Sequence, residues 1–474
     1  MPKINFIGPS YTLRSESVDC QRTVNMYPDI NELGGDKTQL FFTGSPGYKS
    51  EIETGGNVRG MFTDAKGDLY VAEGQEFVRY KYDDVDEEGI LYRRRTVLGG
   101  LYTTTGRVSI AENGFQICVV DGDNLYVYIY ADETFQQYEP AGWMGSNVVV
   151  YYDTYFVFVE RESQKYYISS QYDGTKIDAL DFASKENYPD NIVTAISFNN
   201  YLWLLGEKTL QLVYNSGDTF PLSNMQGGSA NIGCIAKDSV AICSNTLFWL
   251  GSDSNGFGTV YMTQGNSNPS KISNFAVDYF LQSQEKLSDA TAYAYQEDGH
   301  NFYVLNFPSG NTTWVYDFAT QTWHERSYTP LGGEPQRHRG EFHTVWKSKH
   351  LISDFSRNKI YHQSLSFYKY DDEIIKRYRR SPHMVGGEMQ KMYFNEFQLD
   401  LEVGNDEVDN AQIFLRYSND GGKNWSSLLK NSMGAKGNYK ARVIWRRLGS
   451  ARDRVWEVSI NDPVKFVLLN AYVR

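Results

Sequence analysis

The sequence has little of what marks a disulfide-linked or metal-binding protein. Its cysteines are Cys20, Cys118, Cys234 and Cys243, four in 474 residues. None of them has the Cys-x-x-Cys spacing of a zinc or redox site, so we expect small buried apolar residues in a reducing compartment. A hairpin disulfide between Cys234 and Cys243 is the alternative.

Long apolar runs are also missing. No run of signal-peptide length follows Met1, and no stretch approaches the roughly 18 apolar residues that a membrane span needs. We therefore expect a chain that is made in a cytoplasm and does not insert into a membrane.

Positive charge is scarce. Lys and Arg number 46 against 58 Asp and Glu, which gives a net charge of -12. Binding to nucleic acid without regard to sequence depends on clustered basic residues and the release of counterions. We expect neither that kind of binding nor sequence-specific binding; a channel wall that must let DNA pass would be better served by a neutral or acidic lining.

Catalytic motifs are absent as well. The sequence has no Gly-x-Ser-x-Gly elbow, no phosphate-binding loop ending in Lys-Ser/Thr, and no His-x-x-x-His pair for zinc. A glycosidase needs two converging carboxylates, or a Tyr with a Glu, and no spacing singles out such a pair. Asp83–Gly89 is acidic enough to hold calcium but lacks the ligand order of an EF-hand, which favours a solvated loop. We predict no enzyme, no cofactor and no metal.

Aromatic residues and glycines are abundant. The chain has 36 Tyr, 26 Phe, 9 Trp and 41 Gly, a composition typical of many short strands joined by turns. An apolar strand, a short turn, a second apolar strand and a Tyr-rich third strand recur at intervals of about 40 to 55 residues. The units are Val58–Asp83, Gly106–Gln137, Val148–Asp178, Ile192–Phe220, Ile235–Ile272, Tyr293–Ser327 and Glu341–Tyr368.

This repeat predicts an all-β protein containing a β-propeller of about six or seven blades. Runs that are apolar throughout, such as Tyr155–Val159, suit strands covered on both faces, as they are where blades stack. An irregular sandwich or two consecutive barrels could be built from the same strands and remain the alternatives.

The pattern divides the chain into four parts. Residues 1–48, which contain Pro9, Pro28 and Pro46, predict an extended arm that wraps over its own propeller or a neighbour. The propeller is predicted over 49–370 and a charged linker over 371–384. Clean alternation at Phe397–Val403 then predicts a C-terminal β-sandwich over 385–474.

One predicted turn resembles the Asp-box of sialidase-like propellers, Ser-x-Asp-x-Gly-x-Thr-Trp. Its matching residues are Ser418, Asp420, Gly422 and Trp425, with Asn424 in the Thr position. In such a turn the carboxylate accepts hydrogen bonds from loop amides and glycine permits an unusual torsion. We therefore predict a structural role for these residues and no catalytic one.

The densest basic cluster of this acidic chain lies near its end. Its arginines are Arg446, Arg447, Arg452 and Arg454. They are either solvated residues at an exposed hairpin tip or a candidate interface, because arginine forms bidentate pairs with carboxylates of a partner.

Both ends of the chain contain strings that resemble the tail hub proteins of short-tailed bacteriophages, also called tail accessory factors or packaged-DNA stabilisation proteins. The strings are Phe6–Tyr11, Cys20–Pro28, Gly44–Tyr48, Val58–Gly60, Phe414–Trp425 and Ala441–Trp456. Their order, within about the first and last 60 residues, carries the resemblance, while the middle of the chain is similar in pattern only.

The resemblance implies a structural virion protein of the phage tail, made in the host cytoplasm. It implies a self-assembled ring, expected to be a hexamer, that sits below the portal and its adaptor proteins, helps to close the DNA channel after packaging, and attaches tail fibres, spikes or needles. The alternative is a tail-associated propeller that binds or hydrolyses glycans. A bacterial propeller unrelated to phage is the more distant third reading.

Overall fold

A computed structural model describes residues 2–33, 39–85, 91–185, 188–252, 256–265, 268–404 and 408–474. The acidic segment 83–89 lies outside the residues whose side chains are described. Strands make up nearly all of the regular structure in these ranges, which confirms the predicted all-β class. All four cysteines are free and buried.

The N-terminal segment, here residues 2–53, contributes five short strands and a longer one; the part up to residue 48 is the predicted extended arm. They are β1 (Lys3–Ile4), β2 (Tyr11–Thr12), β3 (Cys20–Val24), β4 (Met26–Ile30), β5 (Leu40–Gly44) and β6 (Gly47–Glu53). These strands pair with partners from distant parts of the chain, described below.

The first four propeller blades are four-stranded antiparallel sheets formed by consecutive strands. Blade 1 contains β7 (Val58–Thr63), β8 (Leu69–Glu73), β9 (Glu76–Val85) and β10 (Leu91–Gly100); blade 2 contains β11 (Ser109–Glu112), β12 (Gln116–Val120), β13 (Leu125–Ile129) and β14 (Thr134–Tyr138). Blade 3 contains β15 (Ser146–Tyr152), β16 (Tyr155–Glu160), β17 (Lys165–Ser170) and β18 (Asp173–Ser184); blade 4 contains β19 (Ile192–Phe198), β20 (Tyr201–Gly206), β21 (Leu210–Asn215) and β22 (Leu222–Ala230).

Blades 5 and 6 vary this plan. Blade 5 contains β23 (Gly233–Cys234), β24 (Ala241–Cys243), β25 (Thr246–Ser252), β26 (Gly258–Gln264) and β27 (Ser270–Lys271), and the helix α1 (Phe275–Ser283) follows it. Asn274 caps this helix through its side-chain oxygen. Blade 6 contains β28 (Thr291–Glu297), β29 (His300–Phe307), β30 (Thr312–Asp317) and β31 (Thr322–Tyr328), followed by β32 (Gln336–Arg337).

Blade 7 joins the two ends of the propeller. Its inner strands are β33 (Gly340–Trp346), β34 (Lys349–Asp354) and β35 (Lys359–Ser364), and β6 from the N-terminal segment pairs antiparallel with β35 as the fourth strand. Seven blades are therefore present in the described residues, within the predicted range. The seventh repeat of the sequence holds only three of its strands, which is why pattern alone left the blade count open.

Tight turns explain why the repeat has no obvious consensus. In blades 3, 4, 6 and 7 the first and second strands, and in blade 5 the strands β24 and β25, are joined through two residues that both have positive φ. The pairs are Asp153-Thr154, Asn199-Asn200, Ser244-Asn245, Asp298-Gly299 and Lys347-Ser348. A two-residue hairpin needs this backbone conformation, and different polar residues or glycine can supply it.

The propeller core lies between the blades. On β16, Phe156 and Phe158 pack against blade 2, while Val157 and Val159 pack against blade 4. A strand buried on both faces is apolar throughout, which is the pattern that the sequence shows at this point.

The C-terminal part forms two packed sheets. After β36 (Lys369–Tyr370) and β37 (Glu373–Ile374), its strands are β38 (Arg377–Arg380), β39 (Met384–Val385), β40 (Met392–Tyr393), β41 (Glu396–Leu401), β42 (Gln412–Ser418), β43 (Leu429–Ser432), β44 (Val443–Arg446), β45 (Ser450–Ala451), β46 (Asp453–Ile460) and β47 (Val467–Val473). One sheet has the order β4-β5-β47-β41-β44, and the other includes β38-β46-β42-β43. Phe397, Trp445 and Trp456 lie in the core between them.

Candidate functional site

The strand β3 lies between the propeller and the sandwich. It pairs with β31 of blade 6 on one side, where Val24 is opposite Glu325, and with β38 on the other, where Val24 is opposite Tyr378. The strand β38 in turn pairs with β46 of the sandwich. A single sheet therefore runs from blade 6 through the N-terminal segment into the sandwich, and relative motion of the two domains would break its hydrogen bonds.

Arg379 fixes the N-terminal segment to β38. Its guanidinium donates to the carbonyl oxygens of Phe6 at 2.7 Å and Pro9 at 2.8 Å. It also donates to the Thr23 hydroxyl at 2.9 Å and to the Gln21 side-chain oxygen at 2.6 Å. The side chain is fully buried. A planar group with several donors thus holds three separate stretches of the segment.

Asn25 connects the same segment to blade 6 and the linker. Its amide nitrogen donates to the carbonyl oxygens of Ser327 and Lys376, both at 2.8 Å. Its oxygen accepts from the Ser327 amide at 3.0 Å and from the Tyr370 hydroxyl at 3.1 Å. The backbone has φ of 56°, a left-handed conformation that asparagine tolerates better than most residues.

Two histidines bind the segment through charge. Burial opposes the charge of His300, but hydrogen bonds to Asp29 at 3.2 Å and Asp317 at 2.8 Å raise its pKa to about 9. His383 contacts the Cys20 thiol, the Glu16 carbonyl and Asp453, and these contacts raise its pKa to about 10. The first imidazolium joins the segment to blade 6, and the second joins it to the sandwich.

The Asp-box-like residues form the connection between β42 and β43. Asp420 accepts from the Ser418 hydroxyl at 2.7 Å and from the Asn424 amide at 2.8 Å. These hydrogen bonds lower the pKa of the exposed Asp420 to about 2. The Trp425 indole donates to the Gly422 carbonyl, and Gly422 has φ of 92°. The contacts have the geometry of a polar turn, and the structural role assigned to these residues stays a prediction.

The four arginines of the basic cluster do not share one environment. Arg447 and Arg452 are exposed, and Arg446 forms an ion pair with Glu396 at 3.0 Å. Arg454 is 1% exposed. It donates to the Leu448 carbonyl and the Asn419 side chain, and its guanidinium lies over the rings of three aromatic residues: Phe394, Tyr417 and Trp456.

These positions correct two expectations. Arg454 cannot meet a partner at the surface, since its guanidinium is enclosed by aromatic rings of the sandwich. The segment from Arg446 to Asp453 is not a hairpin tip either, because β44 belongs to one sheet of the sandwich and β46 to the other. Arg446, Arg447 and Arg452 stay a predicted interface.

The central channel of the propeller holds a cavity of about 480 Å³ lined by residues from all seven blades. Arg107 lies there with its guanidinium 3.4 Å from Asp238 and 2.8 Å from Glu341, over the ring of Phe342. Glu341 also forms an ion pair with Arg337 at 2.8 Å, so both carboxylates near the cavity are engaged by arginines and do not form a free acid and base pair.

A second carboxylate group lies between blades 1 and 2. The Tyr130 hydroxyl is 3.0 Å from both Asp64 and Glu112. Burial, together with nearby Tyr70 and the two carboxylates, raises the pKa of Tyr130. Burial and Asp64 raise the pKa of Glu112 as well. A nucleophilic tyrosine requires the opposite shift, because its phenolate is the reactive form.

Comparison with protein families identifies the chain. Residues 16–366 match the family described as Bacteriophage P22 Gp10, beta-propeller, and residues 378–474 match the one described as Bacteriophage P22 Gp10, beta-sandwich. The chain belongs to this phage family. The predicted relationship to phage stabilisation proteins and the predicted propeller and sandwich are thereby confirmed.

Solved structures resemble the propeller in fold alone. A streptogramin B lyase has a TM-score of 0.42 and 11% identity, with 72% of this chain and 98% of that chain covered. The N-terminal domain of Nup159 has a TM-score of 0.42 and 11% identity, with 75% and 98% covered. The Neurospora crassa Pan2 WD40 domain has a TM-score of 0.38 and 8% identity, with 65% and 89% covered. At this level they say nothing about function, and no curated protein matches the chain significantly.

The structure gives physical roles to two of the strings that resemble those of phage tail proteins. Asn25 and Thr23 lie within Cys20–Pro28, and both accept hydrogen bonds at the junction. Arg59, within Val58–Gly60, is buried and makes five hydrogen bonds, to the carbonyls of Gly74, Thr103, Thr105 and Gly106 and to the Thr103 hydroxyl. It thereby fixes blade 1 to the segment that leads into blade 2.

Sequence reasoning missed these junction residues as a group. The signal was present, since the strings at the two ends contain buried polar residues, but their partners are far away in sequence. Among the described residues, no cluster of His, Cys, Asp and Glu is arranged for a metal ion. Helices long and apolar enough to cross a bilayer do not occur in the same part of the chain.

Proposed function

We propose that this phage protein is a tail hub that assembles below the portal and adaptor proteins after DNA packaging. It helps to close the DNA channel and provides attachment points for tail fibres, spikes or needles. The main support is the pair of family matches, which together cover 16–366 and 378–474. The role is one of binding, with no chemical turnover.

The junction explains how such a protein could work. A hub has to hold the fibres at a fixed position relative to the adaptor, and the shared sheet with Arg379 and Asn25 connects the propeller to the sandwich through paired strands and hydrogen bonds. In a closed ring each weak contact is repeated by symmetry, so that many small contributions add up to a stable assembly. We propose six copies per ring, by resemblance to tail hubs, and a location in the virion tail.

The proposal is tested by assembly. Native mass spectrometry and electron microscopy of the purified chain, alone and with its adaptor ring, should show closed rings of six copies. Monomers at all concentrations, even with the adaptor present, would contradict the hub function.

Glycan binding or hydrolysis on the tail is the second candidate. It is favoured by Glu112 alone, because this residue lines the channel cavity and its raised pKa suits a general acid, whereas Tyr130 is unsuited as a nucleophile. The test is depolymerisation of host capsule by the purified chain and by Glu112→Gln. If the purified chain clears capsule and Glu112→Gln does not, the result would support the enzyme over the hub. If the purified chain does not clear capsule, the hydrolase candidate would be excluded.

A further inference from the structure

Blade 3 carries an unusual projection on its outer strand. Along β17 and β18, Tyr167 pairs with Phe182 and Ser169 pairs with Ile177. The four residues 178–181 are therefore opposite the single residue 168, and they bulge out of the ladder. We call residues 178–181 the blade 3 knob.

The blade 3 knob is both apolar and acidic. Leu180 is 81% exposed, and Asp178 and Asp181 beside it are exposed as well. The Asp178 carboxylate accepts from the Leu180 amide at 2.9 Å, which helps to hold the projection in shape. Phe182 extends the apolar surface next to it. An exposed leucine between two carboxylates is suited to a partner that offers an apolar surface bordered by cations.

The sandwich presents a surface of that kind. Val385, Met389 and Tyr393 are 49%, 58% and 72% exposed. Main-chain bonds from Gly386 to Arg452 and from Phe394 to Gly449 place this stretch beside the basic cluster. We call residues 385–393 with Arg447 and Arg452 the sandwich patch. The exposed Lys391 adds positive charge and Glu388 subtracts from it, which leaves the patch basic.

The backbone of the sandwich patch is held in a costly conformation. Glu388 and Met389 have φ of 52° and 58°, and Arg447 has φ of 61°. Residues other than glycine and asparagine rarely adopt this region, although several hairpin turns of the propeller contain such residues as well. At Met389, the residue with this backbone conformation also exposes a long apolar side chain to solvent.

The knob and the sandwich that carries the patch lie on opposite sides of the propeller. The N-terminal segment joins the sandwich to blades 6 and 7, through β31 and β6. The blades follow one another in chain order, and β33 of blade 7 contacts β7 of blade 1. Blade 3 is therefore three blades away from blade 6 in one direction and from blade 7 in the other, across the propeller from the sandwich.

We infer that the blade 3 knob of one copy docks on the sandwich patch of the next copy. Leu180 would pack against Met389 and Tyr393, and Asp178 and Asp181 would pair with Arg447 and Arg452. Two different complementary surfaces make a head-to-tail contact, which closes into a ring when the rotation from one copy to the next closes. The inference rests on the proposed ring assembly and names the contact that builds it.

The decisive experiment exchanges the charges. Asp178→Asn with Asp181→Arg alters the knob, while the side-chain oxygen introduced by the first substitution can still accept from the Leu180 amide; Arg447→Glu with Arg452→Glu reverses the patch. Each double variant should weaken association between copies by about tenfold or more, because like charges then meet. The combined quadruple variant should regain part of the rings, since the arginine introduced at position 181 then faces the glutamates introduced at positions 447 and 452. Mass photometry over a concentration series gives the ring fraction.

A matched control changes equally exposed acids elsewhere on the propeller. Glu285→Gln with Glu334→Arg alters the net charge by the same amount as the knob variant and should leave the ring fraction unchanged. A cysteine pair, Leu180→Cys with Tyr393→Cys, should form a disulfide between copies upon oxidation, because the native cysteines are all buried.

The outcomes separate this contact from the hub function. Rings that form normally in both double variants, without any cross-link in the cysteine pair, would overturn the contact and leave the hub proposal standing. Loss of rings in the double variants with no recovery in the quadruple variant would also overturn direct pairing. Wild-type protein that stays monomeric even with its adaptor would overturn both.

Discussion

The propeller blades and the junction are held together by different kinds of contact. Between blades, β16 buries apolar side chains on both faces, and similar packing recurs around the ring. At the junction, the partners of Arg379 and Asn25 are separated from them by as many as 373 and 351 residues. Packing spread over many atoms tolerates apolar exchange, whereas directed hydrogen bonds fail when one donor is removed. The propeller is thus robust and generic, and the junction is specific.

Removing Arg379 should cause the largest loss of unfolding free energy. Arg379→Ala leaves four acceptors of the N-terminal segment without a donor, so we expect a loss of about 4 kcal/mol in unfolding free energy. Urea unfolding followed by tryptophan fluorescence should then show separate transitions for propeller and sandwich. Arg442→Ala, at an exposed site, is the control and should change stability by less than about 0.5 kcal/mol. Equal losses of unfolding free energy in Arg379→Ala and Arg442→Ala would contradict the distinction between the junction and the propeller.

Asn25 tests whether side chain or backbone dominates at the junction. Asn25→Ala loses the amide contacts and places alanine at φ of 56°, so we expect a cost of about 3 kcal/mol. Asn25→Gly loses the same contacts but accepts the backbone, and should cost about 1 kcal/mol less. Chemical denaturation of both variants measures the difference. A glycine variant as stable as the wild type would show that the amide contributes nothing.

The pattern of apolar residues predicted the propeller but did not predict the junction. Alternating and continuous apolar runs report burial directly, so strands such as β16 and β41 could be predicted. A strand shared between domains has no local signal, because Val24 is placed by Glu325 and Tyr378, far along the chain. The Asp-box-like turn could be found because its contacts are local. Arg454 was misassigned since charge alone does not reveal the aromatic rings around it. Whether arm, propeller, linker and sandwich are separate domains stays a prediction.

His300 makes the junction sensitive to pH. Its pKa is raised from 6.5 to about 9 by Asp29 and Asp317 against the effect of burial. The imidazolium therefore contributes its full stability below pH 6.5 and loses it as the pH rises through 9. We expect about 2 kcal/mol of alkaline destabilisation in the wild type that is missing in His300→Gln. Parallel stability profiles of the two proteins between neutral and alkaline pH would contradict this role.

The smallest effect is expected at the Asp-box-like turn. Asp420→Ala removes hydrogen bonds to Ser418 and Asn424 within one exposed turn, so the thermal midpoint should fall slightly while ring formation is unaffected. The pKa of Asp420 is lowered to about 2. The stability that its carboxylate contributes is therefore lost as the pH falls from the ordinary pKa of aspartate to about 2. Calorimetry checks the midpoint, with Asp420→Asn as the conservative control. An unchanged midpoint would show that the turn does not depend on the carboxylate.

Hydrogen exchange of the β3 amides tests most directly whether the N-terminal segment unites propeller and sandwich. The account predicts that residues 20–24 of the full-length protein exchange as slowly as the core strand β46, because both open only when the whole molecule unfolds. Arg379→Ala should accelerate exchange in β3 before it does so in β16. Exchange of β3 in the wild type that is orders of magnitude faster than that of β46 and β31 would contradict the account.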